Sequence, residues 1–444
     1  MLYNGPLDQP SNPNAPYIDG NPAAGIEGSI VPAAQCEFPQ REIIEVINQA
    51  NLRGYSDFAG VPCPSPSNAD LVQLRKAIEG YITDWQFLIT TYVTFKVHGP
   101  GADFSDLNAA MVYLSKYKIT STGHVTLQMA GATSGLAQVF TYSQPILFDH
   151  PNNDRISLLG APMLGALTPD DSGYAWSGPS AAQRQADTAT NLQTLRGKFA
   201  TELHFPGLTA PVGITINGQM LADFDGLLLT SDGANAGSAG VSFRCLGYFN
   251  SSVTRPMMGM AAVSFAYGFN FDTGAAISNY ATGSNSSPVA NATWLAIGCS
   301  QMGIIIGNGS FFCTVHNLIC LSNVNGGFWV YPRGGCQIDA PVFCNANAQW
   351  GITADFASNV FLGSGTFGLP GYFSHCYRNG NWGIFANQSN VTFAGDFGGA
   401  GYQNASGSCY AQDNSSIALY NSINVGTCSP AFGVLGNNAA MISG

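Results

Sequence analysis

Asp223 and Asp225, in the segment LADFDGLLL, form the one pair of carboxylates whose spacing suits hydrolysis of a glycosidic bond. Two residues apart on a strand, they share a face at about 6.6 Å, twice the per-residue rise. Glycosidases place an acid and a nucleophile or base roughly 5 to 9.5 Å apart. The same DFDG can equally serve as a turn. Asp339, Asp355 and Asp396 could converge across chain repeats, but Asp355 falls where later repeats carry Asn387 and Gln412, which reads as an outer polar column. Eliminative cleavage beside a uronate needs a base instead, and His375 or Tyr377, next to Arg378 in HCYR, offers one. Trp329, Tyr331, Trp350 and Trp382 recur at nearly one-repeat intervals. Facing outward they would make a stacked platform for sugar rings; facing inward they would be core packing.

The eleven cysteines are an odd number, so at least one is unpaired or bonded to another chain. Cys299, Cys320 and Cys344 read as one column in consecutive repeats, and Cys313 with Cys336 as a second. Neighbours about 4.8 Å apart fall within disulfide range, but small buried thiols are the reading preferred here. No CxxC pair occurs, and His316 and His375 lie outside the columns, so no metal site is expected. No cofactor is expected either. Cys36 and Cys63 are the better candidates for a bond to a neighbouring protein.

The elements that position these residues come from the stretch 297–422. Its lines share a register, with Gly303, Gly327, Gly351 and Gly383 spaced 24, 24 and 32 apart. A period in the twenties that tolerates an insertion indicates a solenoid. GIII, GFWV, GITA and GIFA are too short for helices and rich in strand formers, and the intervening Asn and Gly suit corners with positive φ. The fold class expected is therefore mainly β, a right-handed parallel β-helix behind a small α-helical N-terminal module.

Composition agrees. Among 444 residues 53 are Gly, and only 9% are charged against a usual share of about 25%. A net charge of −11 with no basic cluster argues against nucleic acid, and no apolar run suits membrane insertion. MLYNGPLDQP has neither a basic start nor an apolar segment, so a signal peptide is not expected. After Glu202 there is no Lys or Glu, only four Arg and eight Asp. A surface of Asn, Ser, Thr and aromatics suits neutral or weakly charged sugars, although Asn, Ser and Thr are also the ordinary material of β-helix turns.

In chain order, residues 1–92 read as an extended arm followed by two helices. Ile43, Ile44, Ile47 and Leu52 line one face of the first helix, and Ser67 or Asn68 caps the second, which carries Leu71, Leu74, Ala77, Ile78 and Ile82. This module is read as a docking unit, with Ile43, Ile47, Cys36 and Cys63 as its contact residues. Residues 93–165 hold a capping helix begun by Ser105, then the first coils. Residues 166–296 are irregular coils with a helix in which Ala182, Ala186, Ala189, Leu192, Leu195 and Phe199 are the apolar spacing. Residues 297–444 are regular coils.

CEFPQREIIEVINQANL with ADLVQLRKAI resembles the start of tail-fibre and tailspike proteins of bacteriophages and prophages of α-proteobacteria. FKVHGPGADFSDLNAAMVYLS, HPNNDRISLLGA and YAQDNSSIALYNSI resemble their β-helical bodies. The resemblance implies a virion appendage, a homotrimer joined to a tail or baseplate protein by its N-terminal module and contacting bacterial surface polysaccharide. Assembly in the host cytoplasm would then need no export signal. Two functions follow as alternatives to an adhesin: a polysaccharide depolymerase on the same scaffold, or a purely structural decoration of the virion. Tailspikes that cut polysaccharide often have a longer body and a separate C-terminal trimerisation domain, and neither is evident.

Overall fold

The structure is a computed structural model. It describes residues 22–24, 33–57, 61–66, 72–85, 87–206, 212–232, 238–248, 259–272, 274–279, 293–314, 317–362, 374–396, 403–420, 422, 425, 427–429 and 440–443. The arm before residue 33, except for 22–24, the Ser67 or Asn68 cap, Leu71 and His316 lie outside these residues, as do the side chains of Cys36 and Ile82. The chain divides into two compact units, residues 1–88 with 116–118, and residues 89–115 with 119–444.

In the first unit α1 (Ala33–Leu52) and α2 (Gln73–Trp85) close on a small core of Ile47, Ala50, Cys63 and Ala77, flanked by Tyr55, Leu74 and Tyr81. The connection is fixed by polar contacts: the Val61 N–H donates to Asp57 Oδ1 at 2.9 Å, and Asn51 Nδ2 donates to the Cys63 carbonyl at 2.7 Å. Ile47 is buried, whereas Ile43, Ile44 and Leu52 are exposed, so the four do not share one buried face. Leu52, five residues on, stands about 140° around the helix from Ile47.

The second unit is mainly β. The pairings between its strands are parallel, as in the four-stranded opening sheet Tyr92–Val97, His124–Met129, Ile156–Leu159 and Asp223–Asp225. From residue 293 to residue 419 each repeat contributes one strand to each of three ladders. Thr293–Ile297 begins the regular part of ladder A, Met302–Ile306 that of ladder B and Phe311–Thr314 that of ladder C. The next repeat pairs Asn317–Leu321, Gly326–Val330 and Gly335–Ile338 directly onto them. Stacked all-parallel ladders advancing by one repeat are consistent with a parallel β-helix.

The repeated glycines explain how tightly the repeats stack. A Cβ on Gly303, Gly327 or Gly351 would lie 2.6 to 2.8 Å from the carbonyl oxygen of the next glycine in the column. It would also press on the amide of Asn323, Asn347 or Asn379 at 2.9 to 3.0 Å. Those asparagines form a buried ladder. The N–H groups of Cys299, Asn323, Asn347 and Asn379 each donate to the Oδ1 of the following asparagine, ending at Asn404, at 2.9 to 3.1 Å. The side-chain Nδ2 of Asn323, Asn347 and Asn379 donates to the same oxygens at 2.9 to 3.0 Å. A shorter serine ladder, Ser358 to Ser389 to Ser415, does the same at another corner, with each backbone N–H donating to the next Oγ at 3.2 Å.

The cysteine columns differ from expectation. Cys320 and Cys344 are register partners, but Cys299 heads the asparagine column instead. Cys313 pairs with Gln337 and Cys336 with Phe312, so a one-residue offset puts these two thiols on opposite faces. The ten described cysteines are free thiols, buried except for Cys428.

Two helices cover sheet surface. The N-cap of α3 (Leu107–Leu114) is Asp106 rather than Ser105, since Asp106 Oδ1 accepts the Ala109 N–H at 2.8 Å. The helix α4 (Ala181–Arg196), capped by Ser180, turns its alanines outward and buries Asp187, Asn191 and Leu195. The buried polar pair wins because each side chain ties down backbone: Asp187 accepts from the Ser177 N–H and Oγ, and Asn191 exchanges hydrogen bonds with Ala175 at 2.7 and 2.8 Å. Leu195 and Phe199 then seal the outer column of ladder A, Leu228, Ala261, Leu295, Ile319 and Phe343. Arg196 locks the helix end to the wholly buried Glu202 through two hydrogen bonds of 2.7 Å.

Candidate functional site

Ladder B carries an outward aromatic strip. Its register places Ile305, Trp329, Thr353, Phe385 and Tyr410 in one column and Trp350 beside Trp382 in another. The columns interlock. Trp329 stacks on Tyr331 at 4.5 Å, Trp350 meets Phe385 at 5.6 Å, Trp382 meets Tyr410 at 5.3 Å, and Phe385 lies parallel to Tyr410 at 5.6 Å. All six rings are half-buried, each keeping an edge or face toward solvent. They come from four successive repeats, a run of three inter-strand steps or about 14 Å.

The polar margin of the strip is the column Asp355, Asn387 and Gln412. Trp329 Nε1 donates to Asp355 Oδ2 at 2.9 Å. Burial pushes the Asp355 carboxyl up, opposed by hydrogen bonds from Trp329 and Asn387. Thr353 Oγ1 and Asn387 Oδ1 are buried without a hydrogen-bond partner. Flat rings held rigidly by one another, with a carboxylate and amides alongside, can stack on the apolar faces of sugar rings and hydrogen-bond their hydroxyls.

The four aromatics expected from the sequence, Trp329, Tyr331, Trp350 and Trp382, thus lie on one face. Phe385 and Tyr410 extend it, and Phe385 had a signal: it stands two residues after Gly383, as Trp329 does after Gly327.

A second polar group gathers beyond Phe343 on ladder A, where the register continues to His375 and then Asp396. Tyr377 Oη donates to Asp396 Oδ2 at 2.6 Å, and His375 stacks on Tyr377 at 4.4 Å. His375 Nδ1 stands 3.7 Å from Asp171 Oδ2, which also accepts from Asn345 Nδ2 at 2.5 Å. Burial, and then the hydrogen bond to Asp396, hold the Tyr377 phenol far above its ordinary value. Arg378 lies over the Trp176 ring and donates to the Ser177 carbonyl at 3.0 Å. Asp171 had no sequence signal, because it is 174 residues from Asn345 in an irregular segment.

Asp223 and Asp225 occupy one face of a strand in the opening sheet and are 5% and 1% exposed. Ser157 Oγ donates to Asp223 Oδ2 at 3.0 Å and itself takes a hydrogen bond from His124 Nε2 at 2.9 Å. Asp225 Oδ1 accepts the Gly259 N–H at 2.7 Å, bracing the backbone where the opening sheet hands over to ladder A. Asp339, Asp355 and Asp396 follow or end strands of ladders C, B and A respectively and are not brought together. Cys63 is 3% exposed, its Sγ donating to the Lys76 carbonyl at 3.2 Å, and Ile47 is buried beside it; Ile43 faces solvent.

Among the described residues no group of three or more His, Cys, Asp or Glu is placed to hold a metal ion, and no helix is long and apolar enough to cross a membrane. No family model, curated protein or solved structure matches the chain.

Proposed function

We propose that this chain is a bacteriophage tail fibre or tailspike protein, a homotrimer whose right-handed parallel β-helix binds bacterial surface polysaccharide along the aromatic strip of ladder B. The observation that carries the reading is six outward rings from four successive repeats, flanked by Asp355 and Asn387. A regular polymer needs a regular receptor, and a stacked ladder repeats its contacts at a fixed rise. The N-terminal unit would join the tail or baseplate, and the exposed Ile43, Ile44 and Leu52 are among the apolar residues available for that contact. On this reading the protein is carried on the virion tail.

The test is binding of purified host capsule and lipopolysaccharide by the intact protein, with Trp382→Ala and Trp329→Ala alongside. Each lost stacking contact is worth about 0.5 to 1.5 kcal/mol, so each variant should bind roughly 2- to 12-fold more weakly. Binding that ignores both substitutions would remove the strip from the interface. A total absence of binding by wild type would favour a structural decoration.

The Asp171, His375, Tyr377 and Asp396 group supports a second reading, a depolymerase, since it joins two carboxylates, an imidazole and a phenol at the edge of a covered face. Shortened polymer after incubation, lost in Asp396→Asn, would establish it.

A further inference from the structure

Helix α4 does more than cover ladder A. Between its first turns and the corners that follow the ladder A strands runs a cleft of about 400 Å³. Arg184, Thr188 and Leu192 line it from the helix, and Ser264, Ser322 and Val324 from the corners. No carboxylate lines it.

Two features of this cleft point to a ligand. The Arg184 guanidinium donates one N–H to the Pro179 carbonyl, and among the described residues it pairs with no carboxylate. It is partly buried, and burial alone draws it below its ordinary value. A guanidinium carries five donors in a planar fork, so most of its hydrogen-bonding capacity is left for something else. Independently, Ser322 is 1% exposed and its Oγ has no hydrogen-bond partner. An orphaned buried hydroxyl costs about 1 to 3 kcal/mol, a cost that a bound acceptor would remove. The cleft thus presents a guanidinium and hydroxyls, with the Gln185 amide beside them and no carboxylate, along the first three turns of a 16-residue helix.

We infer that this cleft binds the carboxylate of an acidic sugar residue, with Arg184 taking the carboxylate and Ser322 and Thr188 the adjoining oxygens. Leu192 and Val324 supply an apolar wall for the ring, and the volume exceeds what a bare oxyanion would fill. Val324 stands two residues before the ladder B strand that carries Trp329, so one glycan could lie on the strip and drop its acidic residue here. This rests on the polysaccharide-binding reading and narrows its substrate to a glycan with an acidic sugar.

The test compares methyl β-D-glucuronide with methyl β-D-glucoside, which differ in the carboxylate alone, and with inorganic phosphate, by NMR titration of the full chain. The glucuronide should bind at least tenfold more tightly than the glucoside and than phosphate, and more weakly as salt rises. Arg184→Gln should cost at least tenfold and Arg184→Lys less. Ala189→Trp, an exposed helix position on the rim, should block the cleft without touching Arg184. Equal binding of glucuronide and glucoside, or indifference to Arg184→Gln and Ala189→Trp, would overturn the assignment; phosphate binding as tightly as the glucuronide would reduce the cleft to a simple oxyanion site. Trp382→Ala should leave binding of the small glucuronide unchanged. If Trp382→Ala also fails to weaken polymer binding, the strip reading falls while the cleft stands.

Discussion

Replacing Asn347 by alanine probes the internal ladder at its middle. Asn347 is wholly buried, and its Oδ1 accepts from the Asn323 N–H at 3.1 Å and from Asn323 Nδ2 at 3.0 Å. Its own Nδ2 donates to Asn379 Oδ1 at 2.9 Å and to the Cys320 carbonyl at 3.4 Å. Truncation orphans the buried Asn323 N–H, at about 1 to 3 kcal/mol, and removes further hydrogen bonds worth about 1 kcal/mol each. The Asn323 amide keeps the Ala296 carbonyl and Asn379 Oδ1 keeps the Asn347 N–H, so the expected total is about 3 to 5 kcal/mol. Asn347→Asp should be no better, because it retains the acceptor but loses the donor and buries a charge. Repeat arrays can lose two-state cooperativity, so the assay pairs urea unfolding with native-state hydrogen exchange. Protection should fall first at the amides of 323 and 347. A loss below about 1 kcal/mol, with the Asn323 amide still protected, would refute the ladder as a determinant of stacking.

Two other perturbations read single groups. The Asp355 carboxyl sits above its ordinary value of 3.8, mainly through burial, so the folded state binds its proton more tightly than the unfolded state. Its contribution is therefore most favourable below 3.8 and declines as pH rises through the raised value. Asp355→Asn, which can still accept from Trp329, should remove that slope and be at least as stable at neutral pH; melting curves for the two proteins that stay parallel across this range would contradict it. In a Cys36→Ser background, Cys428 should be alkylated first. Its hydrogen bond with Cys409 lowers its pKa, while burial raises Cys313 to about 11 and Cys245 to about 12. Mass mapping that finds Cys320 or Cys344 modified earlier would exclude the buried thiol column.

The repeat was legible because its cause is steric. Gly303, Gly327 and Gly351 recur since any Cβ there would meet the next repeat's carbonyl, and that constraint leaves a mark in a single sequence. The aromatic strip was legible for the same reason, because register converts spacing into a shared face. The cysteine columns misled where spacing was read without bulges or offsets: Cys313 and Cys336 are 23 residues apart in a 24-residue repeat, and one residue reverses the face. In α4 the alanine spacing suggested an apolar face, yet Asp187 and Asn191 are buried, because partners at Ser177 and Ala175 are contacts no periodicity encodes.

The unusual surface chemistry falls where the repeat is broken. Through Phe343 the outer column of ladder A is apolar and covered; in the next repeat it becomes His375 and then Asp396. The break in length comes at the same place, with eleven residues between Leu362 and Ser374 where three separate Ile338 from Val342. Stacked ladders can accept such an insertion between strands because the strands on either side still pair with their neighbours, so stacking energy is retained while the outward residues are free to change. The inward asparagine continues undisturbed across the break, from Asn347 to Asn379 at 2.9 Å. Stability is thus carried by the inner columns and chemical variety by the outer ones. The ladder should accordingly tolerate replacement of His375 or Tyr377 far better than replacement of Asn379, two to four residues away on the same turn of chain.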